Sequence, residues 1–201
     1  ELDTWIKSQN RLSAQQLEGD ARYTSIRAQI EQLNDVYLQK EVGREVGGNT
    51  FHRALVGDRI HLFVQTPGTE PRALVDARTL GKESSAKSYE PSPDGRLVAY
   101  VIGLHGADWN EIRIRDVAAD RDLDVVLPNV RQTPLAWTAD GSGLVYLRYA
   151  PPRDGKREAP AEDPGIYLHR LGSPVASDLA LYLLPHNRRD WDLDFGLPGG
   201  R

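Results

Sequence analysis

The chain has 201 residues, of which 39% are hydrophobic and 27% charged, a balance typical of one large globular domain or two small ones. Its 25 basic and 29 acidic side chains leave a net charge of -4. Phosphate binding needs clustered positive charge, so we expect no nucleic-acid partner. The longest apolar run covers only residues 97–102, far fewer than the ~20 that cross a bilayer, so we expect no membrane partner.

Cysteine and methionine are both absent from the sequence. The chain therefore has no disulfide, no thiolate zinc site and no cysteine nucleophile. It opens without methionine and without a charged-then-apolar signal segment, so we expect a processed chain or a piece of a longer one. A chain without cysteine suits the cytoplasm and the periplasm equally, and either location is expected.

Residues 1–45 are predicted to form an N-terminal helical segment with two helices. Asp3 or Thr4 can cap the first helix, which ends before Leu17, and Asp20 opens the second. The second helix carries one apolar stripe at intervals of three and four residues, formed by Tyr23, Ile26, Ile30, Leu33 and Tyr37. This stripe either covers the core of its own domain or docks onto a domain outside this chain.

Residues 46–201 are predicted to form a β domain, because the hydrophobic period changes there from 3.6 to 2. Gly57 and Asp58 predict a two-residue hairpin turn. Pairing Val56 with Arg59 sets the register of this hairpin. It places on one face the side chains of Phe51, Leu55, Ile60, Leu62 and Val64.

A turn motif recurs along this β domain. Ser92-Pro93-Asp94-Gly95 and Thr138-Ala139-Asp140-Gly141 each precede an apolar run, and their aspartates stand 46 positions apart. A weaker copy, Leu197-Pro198-Gly199-Gly200, follows after a longer interval that a polar insert at residues 151–160 accounts for. Repeats of 40–50 residues with regular turns are typical of β-propeller blades.

The clearest repeat is predicted to contain four antiparallel strands, at residues 87–90, 97–102, 111–116 and 123–126. The β domain is long enough for about three such blades, whereas closed propellers have roughly four to eight. We therefore predict a mainly β fold, an incomplete β-propeller of about three four-stranded blades preceded by two N-terminal α-helices.

The order of these motifs resembles the early propeller of the prolyl oligopeptidase family of serine peptidases. The resemblance is carried by Ser92-Pro93-Asp94-Gly95-Arg96-Leu97-Val98-Ala99-Tyr100, Gly106-Ala107-Asp108-Trp109, Ala136-Trp137-Thr138-Ala139-Asp140-Gly141 and the stretch from Ile166 to Pro174. The helical start from Trp5 to Tyr37 is similar to the N-terminal helices of that family. The resemblance implies a seven-bladed propeller over an α/β-hydrolase domain whose Ser-Asp-His triad cleaves short peptides after proline, with no cofactor. It implies two partners, a short peptide substrate and a C-terminal hydrolase domain, and a propeller that filters substrates by size.

No catalytic residue is expected within residues 1–201. A nucleophile elbow needs Gly-x-Ser-x-Gly, and no serine here has glycine at both of those positions. The resemblance places any triad beyond Arg201, and it makes Gln132 the candidate substrate-binding residue. The family often has an aromatic residue there, lining the substrate cavity, and an amide would offer hydrogen bonds instead. Gln132 can also be an ordinary polar loop residue.

Two polar clusters contain side chains that can ligate metals, and no metal is expected at either. His52 and His61 fall on one face of the first hairpin as a diagonal pair, without an evident third ligand. Asp120, Asp122 and Asp124 alternate, but they lack the glycine and the distal glutamate of a calcium loop and favour a solvated strand edge.

Trp109 and Trp137 are predicted to pack between blades rather than to stack on a ligand. A function of another class stays open beside the peptidase hypothesis, a non-catalytic propeller-like interaction module that binds a partner protein or self-assembles.

Overall fold

A computed structural model describes most of the chain. The described residues are 2–39, 42–81, 84–103, 108–131, 133–153 and 161–184, with the backbone alone at 34–39. Two predicted features, Gln132 and the third turn motif at residues 197–200, lie outside the described residues. The chain separates into two compact units, Glu1–Glu41 and Val42–Arg201, and each is described by itself.

The first unit consists of two helices, α1 (Leu2–Leu17) and α2 (Ala21–Gln39). Asp20 opens α2 as predicted, because its carboxylate accepts the backbone N–H of Arg22 at 2.8 Å. Ile26, Ile30 and Leu33 of the apolar stripe are exposed, so the stripe covers no core of its own within this unit. No helix in the described ranges is long and apolar enough to cross a membrane.

The second unit contains three four-stranded sheets, and each is an antiparallel meander in chain order. Sheet 1 consists of β1 (Arg44–Val46), β2 (Asn49–Val56), β3 (Arg59–Gln65) and β4 (Arg72–Val75). Sheet 2 consists of β5 (Ser85–Pro91), β6 (Leu97–Gly103), β7 (Asn110–Asp116) and β8 (Arg121–Val130). Sheet 3 consists of β9 (Leu135–Trp137), β10 (Gly143–Arg148), β11 (Gly165–Arg170) and β12 (Leu179–Leu183). These sheets confirm the predicted blades and the mainly β fold class.

The register of the first hairpin is the predicted one. Val56 lies opposite Arg59, and Phe51 lies opposite Val64. Phe51 and Val64 are buried, whereas Leu55 beside the turn is 40% exposed. The apolar face of the hairpin is therefore buried only at the end away from its turn.

The two complete turn motifs fold alike. Ser92 Oγ donates to Asp94 Oδ1 at 2.7 Å and accepts the N–H of Leu97 at 2.9 Å. Thr138 Oγ1 does the same with Asp140 at 2.6 Å and with the N–H of Gly143 at 3.0 Å. The hydrogen bonds that the Asp140 carboxylate accepts from the Thr138 hydroxyl and from Ser142 lower the pKa of Asp140 to about 2. The repeated motif is thus a repeated turn that begins the second strand of a sheet.

Two hydrophobic clusters join the three sheets. Side chains of sheets 1 and 2, together with Val117 in the turn after β7, form the first, with Phe51, Leu62, Val64, Leu74, Val75, Ala86, Val98, Tyr100, Ile102 and Val117. Side chains of sheets 2 and 3 form the second, with Ala99, Val101, Ile112, Ile114, Leu127, Val130, Trp137, Leu144 and Tyr146. Strand β6 contributes alternate residues to both clusters, so it is buried on both of its faces.

Strand β12 differs from the inner strands. Its large apolar side chains are exposed along its whole length, namely Leu179, Leu181, Tyr182 and Leu183. In the described part of the chain this strand forms the outer edge of sheet 3.

Candidate functional site

Two connections leave sheet 2 at the same end, where β7 begins and β8 finishes. Asn110, the first residue of β7, lies opposite Val130, the last residue of β8. Asp108 and Trp109 precede Asn110, and Arg131 follows Val130. Antiparallel pairing therefore brings both connections together at this loop end of sheet 2.

A buried amide ties the two connections to each other. Asn110 Nδ2 donates to the backbone carbonyl of Asp108 at 2.9 Å and to that of Arg131 at 3.0 Å. The Oδ1 atom of Asn110 is also buried, and it has no hydrogen-bond partner among the described residues. Both amide protons are used, so the side-chain orientation is fixed by two backbone acceptors.

The side chain of Arg131 is held on two sides. Its Nη2 lies 2.6 Å from Asp108 Oδ2, and its Cζ lies 5.9 Å from the ring centre of Trp109. Trp109 in turn packs edge-on against Tyr149, with ring centres 5.9 Å apart. The cluster presents an exposed carboxylate and a partly exposed guanidinium on a buried aromatic base. Such groups offer hydrogen-bond donors and acceptors of both charges at the surface.

The same connection is anchored again two residues further along. Thr133 is buried, and its Oγ1 accepts the backbone N–H of Leu147 in β10 at 2.9 Å. Arg131 and Thr133, the neighbours of position 132 in the sequence, are thus held by sheet 2 and sheet 3 respectively. The assignment of Gln132 as a substrate-binding residue stays a prediction.

The two histidines of the first hairpin lie on one face, as predicted. Phe63 stacks on His52 with ring centres 5.3 Å apart and on His61 with ring centres 6.3 Å apart. His61 is buried, and its Nδ1 lies 3.5 Å from Asp76 Oδ1. Burial lowers the pKa of His61, and the Asp76 carboxylate opposes that effect. No group of three or more metal-ligating side chains occurs in the described ranges.

Two of the three alternating aspartates at the start of β8 form ion pairs. Asp122 accepts the phenol of Tyr100 at 2.9 Å and a guanidinium N–H of Arg115 at 3.1 Å. Asp120 lies 3.2 Å from the same guanidinium, and Asp124 is exposed. Burial and the nearby Asp122 raise the pKa of Tyr100. Asp120 and Asp122 therefore form ion pairs with the arginine side chain of Arg115. The interpretation as a solvated strand edge did not include these ion pairs.

Sheet 3 has a related network around a fully buried carboxylate. Asp178 accepts the phenol of Tyr146 at 2.6 Å, and its other oxygen lies 2.7 Å from Nδ1 of His169. Arg148 Nη1 lies 3.6 Å from the same carboxylate. Burial and the hydrogen bond to Asp178 raise the pKa of Tyr146. This arrangement balances a buried negative charge inside the sheet stack.

The two tryptophans pack in the interior, as predicted. Trp137 is buried in the cluster between sheets 2 and 3, and its Nε1 donates to the Glu90 carbonyl at 2.9 Å. Trp109 is buried with Leu147 and Tyr149.

Sequence reasoning missed both the Asn110 tie and the network around Asp178. Tyr100 and Tyr146 are as far apart as the aspartates of the two turn motifs, so aligning the repeats could have revealed their shared role. The acceptors of Asn110 are backbone carbonyls, and these leave no trace in the pattern of side chains.

Three consecutive four-stranded antiparallel meanders, packed face to face, define a domain of the β-propeller class. A family model described as the prolyl oligopeptidase N-terminal beta-propeller domain matches residues 1–191. The chain belongs to this family, which confirms the resemblance found in its turn motifs and helices.

Similar proteins are considerably longer than this chain. Prolyl oligopeptidase ophP of Omphalotus olearius is 29% identical over 201 aligned residues, which cover 92% of this chain and 25% of that protein. A prolyl endopeptidase of Elizabethkingia miricola is 35% identical over 157 residues, covering 78% of this chain and 21% of that protein. The chain thus spans about a quarter or less of the length of these curated relatives.

The fold is also that of solved relatives. Prolyl oligopeptidase B from Galerina marginata, bound to a 35mer hydrolysis and macrocyclization substrate, superimposes with a TM-score of 0.64 at 17% identity. The superposition covers 90% of this chain and 29% of that one. At this identity the likeness shows the fold alone.

Proposed function

We propose that this chain is the N-terminal, non-catalytic part of a prolyl-oligopeptidase-like serine peptidase that hydrolyses short proline-containing peptides. The triad belongs to an α/β-hydrolase domain elsewhere in the same polypeptide. The propeller lies over the catalytic cavity and admits peptides according to size.

One observation carries the proposal. Three consecutive blades of the prolyl oligopeptidase N-terminal family occur in a chain that spans about a quarter of the length of similar peptidases. The 201 residues contain no Gly-x-Ser-x-Gly, so they supply no nucleophile elbow. We therefore assign the propeller of this chain and a catalytic domain like that of the relatives to one enzyme.

Gln132 is the residue of this chain that we propose to contact the peptide. Its amide can donate to and accept from a peptide backbone, whereas an aromatic ring offers a flat apolar surface. This difference favours a weaker preference for proline at the scissile bond. Its two sequence neighbours are anchored, Arg131 by its carbonyl to Asn110 and Thr133 by its side chain to the N–H of Leu147.

Peptide hydrolysis by two versions of the protein tests the proposal. The complete polypeptide that contains residues 1–201 is expected to cleave a chromogenic Gly-Pro peptide, and residues 1–201 alone are expected to be inactive. The size filter predicts that kcat/KM falls when the same sequence is placed in a surface loop of a folded protein.

Two outcomes would contradict the proposal. Hydrolysis by residues 1–201 alone would show that catalysis does not need another domain. Equal cleavage of the free peptide and the loop in the folded protein would remove the size filter.

A further inference from the structure

The connecting turn, a short 3-10 helix at Ala77–Leu80, lies in the chain between β4 of sheet 1 and β5 of sheet 2. It begins at Asp76, whose carboxylate accepts the N–H of Arg78 at 2.9 Å and whose carbonyl accepts the N–H of Thr79 at 3.0 Å. Ala77 is fully buried, although Arg78 and Thr79 are exposed. The turn therefore inserts one side chain into the protein and keeps the next two at the surface.

Two side chains of β3 hold this turn against sheet 1. His61 Nδ1 lies 3.5 Å from Asp76 Oδ1, at the start of the turn. Arg59 Nη1 donates to the carbonyl of Gly81 at 2.8 Å, directly after the turn. Between about pH 5 and 8 the arginine stays charged, whereas a histidine can gain a proton. The first attachment can therefore respond to pH in this range, and the second cannot.

The surroundings of His61 suit a neutral imidazole. Its side chain is 1% exposed, and its Nε2 is buried without a hydrogen-bond partner among the described residues. In the charged ring both nitrogens carry a proton, so the proton on Nε2 would have no acceptor. Burial accordingly lowers the pKa of His61.

Charged and titratable groups face His61 from each neighbouring element in the described part of the chain. Arg59 of β3 and Arg78 of the turn both disfavour a positive imidazole. Asp76 favours it, but this carboxylate is already paired with Arg78, whose Nη2 lies 2.6 Å from Oδ2. From β2, His52 lies on the same face of the sheet. A proton on His61 therefore has two unfavourable cations beside it and one carboxylate that is already occupied.

We propose that the contact between His61 and Asp76 is an acid-sensitive switch that releases the connecting turn. When the imidazole takes up a proton, the turn moves away from β3, against which it packs, and water reaches the ring while the three sheets stay folded. The turn is the element that moves because β3 pairs with strands on both of its sides, whereas residues 77–80 belong to no strand. This switch does not depend on the proposed peptidase function.

Because the chain contains no cysteine, a single introduced thiol can report the opening of the turn. Ala77→Cys places the thiol at the buried position, and Ala118→Cys places it at an exposed position in another turn. The rate of modification by a maleimide is measured for both, and their ratio at one pH removes the effect of pH on the thiol itself. This ratio is expected to rise about tenfold from about pH 7.5 to about pH 5.5, because the open form binds the proton with the ordinary histidine pKa of about 6.5.

Matched variants separate local release from other effects of acid. Ala99→Cys, buried between sheets 2 and 3, is expected to show no rise, because the sheets stay closed. Ala77→Cys combined with His61→Gln is expected to show no rise, because glutamine does not titrate. The same thiol combined with His52→Gln should retain the rise. If Ala77→Cys does not fold, hydrogen exchange at the amide of Thr79, relative to an unstructured peptide at the same pH, gives the same comparison without a thiol.

Three outcomes would overturn the switch. A rise that persists in His61→Gln would assign the release to another group. An equal rise at Ala77→Cys and Ala99→Cys would mean that the sheets open together with the turn. A constant ratio at both pH values would mean that acid does not release the turn. Peptide hydrolysis is measured separately, so the switch and the proposed function can fail independently.

Discussion

The phenol of Tyr146 is buried between sheets 2 and 3 and donates to the fully buried carboxylate of Asp178 at 2.6 Å. Replacing Tyr146 by phenylalanine keeps the ring but removes the hydroxyl, so Oδ2 of Asp178 loses this hydrogen bond. We expect Tyr146→Phe to lower the free energy of unfolding by about 1.5–3 kcal/mol, the range for hydrogen bonds to charged groups. Urea denaturation of the chain measures this value.

Tyr182→Phe is the matched control, because Tyr182 lies on β12 with half of its surface exposed. It should change stability by less than about 0.5 kcal/mol. Equal effects of the two substitutions would show that the hydroxyl of Tyr146 contributes nothing to the buried network.

His61 makes stability depend on pH. Burial lowers its folded-state pKa, with Arg78 and Arg59 acting in the same direction and Asp76 against them. The unfolded chain therefore binds this proton more readily, so acid favours unfolding. We expect the contribution of His61 to stability to be complete above about pH 6.5 and to decline as the pH falls below that value.

Urea denaturation at about pH 7.5 and about pH 5 tests this dependence in the wild-type chain and in His61→Gln. The difference in stability between the two pH values should be smaller in His61→Gln. His52→Gln, on the same face of the hairpin, is the control and should retain the wild-type difference. An unchanged difference in His61→Gln would assign the acid sensitivity to other groups.

At the scale of elements, the turn between β1 and β2 packs directly against the turn between β5 and β6. Gly47 has a φ of 57°, and a Cβ there would collide with the carbonyl of Asp94. Gly48 beside it also has a positive φ, of 78°, but a Cβ there would meet nothing within 4 Å. Substitutions at Gly47 and Gly48 therefore distinguish two losses of stability, one from the left-handed backbone and one from crowding between the two turns.

Gly48→Ala is expected to lower the free energy of unfolding by about 1 kcal/mol, the cost of left-handed backbone for a residue with a Cβ. Gly47→Ala carries the same cost and must also push the turns of two sheets apart, so we expect at least about twice that loss. Urea denaturation compares the two variants. Equal losses would mean that the two turns move apart freely.

At the scale of the whole molecule, the features predicted from sequence are those set by local repetition. The two-residue turn at Gly57 and Asp58 predicted the register of β2 and β3, and the Asp-Gly motifs predicted the turns before β6 and β10. The strand predicted at 123–126 runs as β8 from Arg121 to Val130, because its pairing with β7 continues on both sides of the predicted segment. The strand therefore ends where the pairing with β7 ends, at Val130 opposite Asn110.

The candidate site was less predictable than the fold for a physical reason. Asn110, Asp108 and Arg131 meet only because β7 and β8 pair, and the acceptors of the amide are backbone atoms. A resemblance to a family can suggest position 132, but it does not reveal the contacts that hold its neighbours. Those contacts depend on the tertiary structure, which cannot be read from hydrophobic periodicity or from amino-acid composition.

Because β6 is buried on both faces, the three sheets differ in how much buried surface their opening exposes. Among the described residues, sheet 1 and sheet 3 each share one of these two cores with sheet 2, so opening either sheet exposes one of them. Opening β6 exposes both, because Val98 and Tyr100 belong to one core and Ala99 and Val101 belong to the other. The central strand thus links the two interfaces, and we expect local opening of sheet 1 or sheet 3 to leave the interface on the other side of sheet 2 in place.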